Sequence, residues 1–346
     1  MEIKKDLSEL ALELTEEQYR NSEELHYSTI SRFEEKGFNG LDHLFDPIES
    51  EGITFGQVVD TLLTGSGQEF QDRFIAADIN VTEGGMNTIK KLIEMGLEYS
   101  SFEDIPQQIV ATAGKLAGFY ADDKFDKTRY DKVLKTGNVA EYYTMLLHSD
   151  KTLINLQMYD DAIACVNALK QSPATSGYFA DDDPFSPIRR YYQLKFKATI
   201  DKIGYIVMLD LICVDYEKKI IYPIDLKTSS MSEWDFEKAF VKFHYYQQAR
   251  LYYRVLKANL INDPYFKDFE IADFRFIVVN KNTLTPLVWE FPLAKSEGEL
   301  VDDRGNIIQD PCVLGKELKG YLDCRPLVPN GITAEGVNRI TCLKKA

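Results

Sequence analysis

Three side chains set the terms for this 346-residue chain: Asp210, Asp225 and Lys227. Asp210 interrupts the apolar run IVMLDLICVD, and Asp225 and Lys227 close the run KKIIYPIDLKTSS as I-D-L-K. Charged residues are rare inside buried strands because taking a charge out of water is expensive. Two carboxylates and an ammonium at the ends of neighbouring strands therefore need compensation. A divalent cation is the simplest form of it, since it neutralises carboxylates that otherwise repel. Hard oxygen ligands of this kind suit Mg²⁺ or Mn²⁺.

Strand geometry brings the charges together. Side chains alternate along a strand, so Asp225 and Lys227 share one face, and Ile220, Tyr222, Ile224 and Leu226 are expected to form an apolar opposite face. Pro223 donates no ladder hydrogen bond, which predicts a bulge or an edge there. The following run, FEKAFVKFHYYQQARLYYRVLK, reads as one helix. Gln248 and Tyr252 lie four apart on it and face the same way, with Val241, Tyr245 and Val255 continuing the stripe. Such a helix packs an apolar face on the sheet and presents an amide and a phenol to the carboxylates.

The order Asp210, fourteen intervening residues, then Asp225-Leu226-Lys227 resembles the motif of the PD-(D/E)XK nuclease superfamily. Gln248 and Tyr252, within Q-A-R-L-Y, are similar to the Q-x-x-x-Y helix motif of its RecB-type and lambda-type exonuclease branches. The run Phe236 to Gln248 looks like the matching segment of the RecE-type, or exonuclease VIII, phage group. The likeness covers residues 186–295, with a weaker echo near residues 53–75.

The resemblance implies metal-dependent phosphodiester hydrolysis. Two divalent ions about 4 Å apart can activate water, neutralise the phosphate and stabilise the leaving oxygen. Two Mg²⁺, replaceable by Mn²⁺, are the implied cofactors, with Asp210 and Asp225 as ligands and the Leu226 carbonyl as a third. Lys227 would orient and help deprotonate the water, its pKa lowered by burial or by cations. Gln248 would hold a water or a phosphate, and Tyr252 stands beside it. In the resembled family a helix of the form F-G-x-x-x-H supplies a further ligand. Asp60 occupies that position in ITFGQVVDTLLTG, with a side chain one methylene shorter than Glu. The implied activity is a 5′→3′ exonuclease on double-stranded DNA ends in phage-type recombination, working as a ring-like homo-oligomer with a single-strand-annealing partner. Residue patterns alone leave open a structure- or site-selective endonuclease on the same core, or a catalytically inactive nucleic-acid-binding module.

Composition bounds these readings. The net charge of −15 opposes nucleic-acid binding by the chain as a whole. Residues 186–260, however, hold thirteen Lys or Arg against eight Asp or Glu, a surplus of five that leaves −20 on the rest. A locally basic stretch inside an acidic shell suits an enzyme that holds DNA in one channel. Arg189, Arg190, Lys195, Lys197, Lys238 and Lys242 are its candidate phosphate contacts. Trp234 is read as core packing, with base stacking as the alternative. The five cysteines form no CxxC and read as reduced thiols of a cytoplasmic protein. No charged-then-apolar opening and no run of membrane-span length occurs, so neither a signal peptide nor a membrane partner is expected.

The elements that must position these residues define an α/β fold: a central mixed sheet flanked by helices, a restriction-endonuclease-like core. Residues 186–295 are read as this core and 296–346 as a C-terminal extension. Residues 1–185 are read as mainly helical, with 1–50 a solvated, charge-rich stretch and 53–65 a helix near the site. YYQLKFKATI precedes the Asp210 strand, with Asp201-Lys202-Ile203-Gly204 as the turn between them. His26, His43 and His148 are ordinary surface or core histidines.

Overall fold

The computed structural model describes residues 5–324, apart from 38–39, 42–43, 47–49, 66, 98, 149, 182, 184, 230 and 303. His43, Cys342 and the end of the expected C-terminal extension lie outside the described residues. The chain forms two compact units, one of residues 1–53 with 167–346 and one of residues 54–166. These units group the chain differently from the three segments read along the sequence.

In chain order the first elements are helices α1 (Glu16–Arg20), α2 (Tyr27–Lys36), α3 (Glu51–Thr64) and α4 (Gly67–Arg73) and strand β1 (Phe74–Ala77). Helices α5 (Glu83–Glu94), α6 (Gln107–Leu116), α7 (Arg129–Leu134) and α8 (Val139–Leu147) follow, then strand β2 (Thr152–Asn155) and helix α9 (Leu156–Gln171). The smaller unit is thus mainly helical, as its i, i+3, i+4 apolar spacing predicts. One long helical run is nevertheless cut by β2, which pairs in parallel with β1. Ile89, Leu92, Val110, Ala113, Val133, Tyr142 and Tyr143 form its core.

The larger unit carries strands β3 (Ile188–Ile200), β4 (Ile203–Asp215) and β5 (Ile220–Thr228), then helices α10 (Phe236–Lys242) and α11 (Tyr245–Ile261). Strands β6 (Glu270–Ile271), β7 (Phe274–Val279) and β8 (Leu287–Phe291) follow, then α12 (Leu293–Glu297), the short pair β9 (Leu300–Val301) and β10 (Ile307–Ile308), and α13 (Pro311–Cys324). The main sheet runs β3-β4-β5-β7-β8, with β6 beside β5. The β5–β7 and β5–β6 pairings are parallel and the others antiparallel. The expected mixed sheet flanked by helices is therefore the architecture of this unit.

Local sequence accounts for several junctions. Asp201 and Lys202, both at positive φ, make the two-residue turn of the β3–β4 hairpin; two left-handed residues match the twist of the strands they join. Pro223 lies on a central strand, not on an edge. It falls in the interval where β5 passes from pairing with β6 (Ile220, Ile221) to pairing with β7 (Ile224 onward), and it stands opposite Ile212 of β4.

One core cluster unites the sheet with its helical cover. It joins Ile212, Val214 and Ile221 of the sheet, Leu251, Val255 and Leu256 of α11, Ile30 and Phe33 of α2, and Leu314 and Leu318 of α13. The N-terminal stretch is thus not simply solvated, because Leu7, Tyr19, Leu25, Ile30, Phe33 and Leu44 are all buried. Its many charges mask an apolar stripe in α2, where Tyr27, Ile30 and Phe33 recur at intervals of three.

Two glycines of α13 test this packing. A Cβ on Gly315 would come 2.4 Å from the hydroxyl of the fully buried Tyr205, whereas a Cβ on Gly320 would meet nothing within 4 Å. Alanine gains about 1 kcal/mol over glycine in a helix, and overfilling a packed site costs about 1–3 kcal/mol. Gly320→Ala is expected to raise the urea midpoint and Gly315→Ala to lower it.

Candidate active site

Asp210 sits where β4 parts from both its neighbours. The β3–β4 register extends from Ile188↔Asp215 to Ile200↔Ile203 but steps over the Gln193–Asp210 position. The β4–β5 ladder covers only Leu211↔Ile224 to Asp215↔Ile220. Gln193 has φ +52 in the middle of its strand, a left-handed conformation that side chains other than glycine adopt at a cost. Core-facing positions switch there: Tyr205, Val207 and Leu209 face the core before Asp210, Ile212 and Val214 after it. The ribbon turns over at this point. The Leu226 N–H, beyond the last β4–β5 pair, donates to Asp210 Oδ2 at 2.9 Å.

Asp225 and Lys227 share a face as alternation requires, but it is not a polar face set against an apolar one. It is the face that carries Ile221 into the core, and Asp225 is only 2% exposed. Lys227 Nζ lies 2.7 Å from Asp225 Oδ2, and Gln248 Nε2 donates to Asp225 Oδ1 at 2.6 Å. The ion-pair contact is short but makes no hydrogen bond of normal geometry, which leaves Asp225 Oδ2 buried without one; Gln248 Oε1 is likewise buried without a hydrogen bond. Buried polar atoms left this way are costly and mark a place where a ligand atom fits.

The electrostatics reverse one expectation. Burial by itself would lower the Lys227 pKa, but Asp225, Tyr245, Asp210 and Tyr27 together outweigh it and push the group up. Lys227 is held as an ammonium. Its Nζ also stands 4.5 Å over the Tyr245 ring, a contact that favours the charged form. Tyr252 is pushed well up, first by burial and then by Tyr19, Asp225 and Asp210, while a hydrogen bond from Gln248 works the other way. It stays a neutral phenol. Both carboxylates thus act on Lys227 and on Tyr252, so the site gathers Asp210, Asp225, Lys227, Gln248 and Tyr252.

The expected single helix is two. His244 takes a left-handed conformation between α10 and α11, and Glu34 of α2 holds the junction. Its carboxylate bonds His244 Nδ1 at 2.6 Å and accepts from Gln247 Nε2 at 3.0 Å, while the Tyr27 hydroxyl donates to the Phe243 carbonyl at 2.6 Å. The break re-aims the chain. Tyr245 and Gln248 reach the site from α11, whereas Val241, expected on the same stripe, is exposed on α10. Tyr245 was already expected on the stripe, whereas Tyr27 and Glu34 carried no motif. Only the apolar spacing of α2 hinted that this stretch belongs to the core.

The six basic candidates do not gather at one point. Arg189 and Arg190 on β3 donate to the carbonyls of Asp183 and Gly177. Lys195 and Lys197 lie further along β3, and Lys197 Nζ is 3.7 Å from Glu24. On α10, Lys238 pairs with Asp235 at 2.6 Å, and Lys242 stands 5.2 Å over the Phe243 ring. Asp60 lies on α3 within the smaller unit. Among the described residues, no group of three or more His, Cys, Asp or Glu gathers where it could hold a metal ion. The donor set at the site is two carboxylates with the Gln248 amide oxygen, all hard oxygens that fit a hard cation. No helix among the described residues is long and apolar enough to cross a membrane.

No family model matches the chain, and no curated protein matches it. Among solved structures it is similar to one from Eubacterium rectale described as a candidate exonuclease. The alignment covers 97% of this chain and 96% of that one, at 12% identity and a TM-score of 0.46. The chemistry open to this site follows from its own side chains.

Two outcomes are expected from these local features. Glycine relieves a left-handed strand residue, and a β-branched side chain aggravates it. Gln193→Gly should therefore gain about 1 kcal/mol in urea unfolding and Gln193→Val should lose stability. The hydrogen bond that His244 Nδ1 donates to the Glu34 carboxylate raises the His244 pKa, against the opposing effect of burial. Stability from this pair is then fully present below the ordinary histidine value of about 6.5 and fades as pH climbs through the raised folded value. Between pH 6 and pH 9 the wild type should lose stability more steeply than His244→Gln.

Proposed function

We propose that this chain is a metal-dependent nuclease that hydrolyses phosphodiester bonds in DNA. The observation that carries the reading is the buried Asp225 carboxylate, paired with Lys227 and carrying an oxygen that lacks a well-formed hydrogen bond, with Asp210 held on the Leu226 amide between them. In this reading Asp210, Asp225, the Gln248 amide oxygen and the Leu226 carbonyl hold Mg²⁺ or Mn²⁺. The resemblance implies two ions, and these donors suffice for one. When bound, such a cation acidifies the attacking water and neutralises charge on the phosphate.

The chain's own groups do the rest. Lys227, paired with Asp225, would supply a positive charge beside the phosphate. Gln248 fixes the Asp225 carboxylate through Oδ1, and Oδ2, beside Lys227, would meet the cation. Tyr252, a neutral phenol, orients Gln248 and helps exclude water. Asp210 braces the Leu226 amide, which sets the height of Asp225 and Lys227 on either side of it. The finer reading, from the resemblance, is a 5′→3′ exonuclease on duplex ends in phage-type recombination. The homo-oligomeric ring, the single-strand-annealing partner and a cytoplasmic location belong to that same reading.

End-labelled linear duplex and closed circular DNA, each incubated with Mg²⁺, Mn²⁺, Ca²⁺ or EDTA, test this function. Mg²⁺ or Mn²⁺ should release label from linear DNA and leave circles closed. Asp225→Asn and Lys227→Gln should each lower the rate by on the order of 10³-fold. Breaking a buried pair also costs about 3–5 kcal/mol, so circular dichroism must show each variant folded. Hydrolysis that persists in EDTA, or in folded Lys227→Gln, overturns the assignment. Cleavage of closed circles replaces the exonuclease with an endonuclease.

A further inference from the structure

Trp234 is not core. It is 73% exposed, and Val241 and Phe243 are 64% and 47% exposed. Lys238, Val241 and Lys242 recur at i, i+3 and i+4 on one side of α10, and Trp234 stands in the short turn Glu233–Asp235 that precedes it. Phe236 and Ala239, on the other side, are buried. Large exposed rings beside a helix whose inner face is already packed gain nothing for folding.

Phe243 connects to the site through a run of aromatic and cationic groups. Lys227 Nζ stands 4.5 Å over the Tyr245 ring. The Tyr245 and Phe243 ring centroids are 5.7 Å apart. Lys242 Nζ stands 5.2 Å over Phe243. Cation, ring, ring and cation thus lead from the buried ammonium to the last residue of α10, and the exposed Trp234 stands in the turn at the other end of that helix. The charge of this surface is otherwise balanced, because Asp235 pairs with Lys238 and Glu237 is exposed beside them. Stacking, more than net charge, would have to hold a ligand here.

We propose that the outer face of α10, with Trp234 and Phe243 as stacking platforms, receives an unpaired nucleic-acid strand and leads it to Lys227. This rests on the nuclease reading and names the form of substrate the surface takes. Flat rings bind bases through their π-faces, and those faces are free only in an unpaired strand. A duplex hides them in its own stack. The interleaved lysines meet the backbone phosphates between stacked bases, a pattern that an apolar protein partner would not require.

The test is binding of a fluorescein-labelled twelve-residue oligothymidylate and of a blunt hairpin duplex to the full chain in EDTA, where nothing is cleaved. The chain has two tryptophans, and the Trp289 Nε1–H is engaged by the Glu233 carbonyl at 3.1 Å. The oligothymidylate should quench tryptophan emission in the wild type, and most of that quenching should vanish in Trp234→Phe. Each substitution removes one stacking platform, so Trp234→Ala and Phe243→Ala should each weaken oligothymidylate binding by about tenfold, with hairpin binding little changed. Trp234→Phe should keep most of the affinity. With Mg²⁺ present, Trp234→Ala should raise KM and leave kcat unchanged.

Wild-type affinity in both alanine variants overturns the proposal, as does equal weakening towards the hairpin. A change in sedimentation coefficient of Trp234→Ala at unaltered oligonucleotide affinity overturns it in favour of a contact between copies of this chain. Failure of the nuclease reading looks different: the wild type would bind and be quenched, yet hydrolyse nothing with any metal.

Discussion

The ion pair between Asp225 and Lys227 constrains everything around it. An almost fully buried carboxylate is tolerable only if its charge is answered within a few ångströms. Lys227 answers it from the same strand, two residues on, and Gln248 answers the other oxygen from α11. The helix must therefore cross the sheet at that height. Burial would otherwise drive Lys227 towards its neutral form, and two carboxylates with two phenol-bearing neighbours prevent it. The pair is a built-in source of local charge in an apolar setting, where Coulomb interactions are far stronger than in water.

A second layer of constraints holds that arrangement open. Strands β4 and β5 stop pairing one residue short of Asp210 and Asp225, and Asp210 spans the gap to the Leu226 amide. Gln193 absorbs the change of face in a left-handed conformation on the neighbouring strand. Left-handed residues inside strands persist only where the surroundings over-determine them. On the helical side, Glu34 pins His244 and so divides what would be a continuous helix, turning α11 so that Tyr245 and Gln248 face the carboxylates. The N-terminal helix thus shapes the site without contributing a ligand to it.

The acidic balance of the chain and the scattered placement of its lysines set the limits of an electrostatic account. Several basic residues already answer a local carboxylate or carbonyl, among them Arg189, Arg190, Lys197 and Lys238. In the proposed reading, recognition at such a surface would lean on aromatic rings and on the buried Lys227 ammonium, not on a broad positive field.

Much of this was legible in the amino-acid order. The alternation in residues 188–228 and the I-D-L-K ending marked three strands and the shared face of Asp225 and Lys227, and the apolar spacing beyond them marked the helix bearing Gln248 and Tyr252, because period and spacing are local properties. What stayed hidden depends on contacts between distant segments. Periodicity alone cannot reveal that Glu34 breaks a helix more than two hundred residues away, or that Trp234 points to water. Nor can it tell that Pro223 sits on a central strand, since that depends on where β6 gives way to β7. The sign of the Lys227 shift was equally out of reach. Burial and neighbouring charge push a lysine in opposite directions, and only the folded distances decide which prevails.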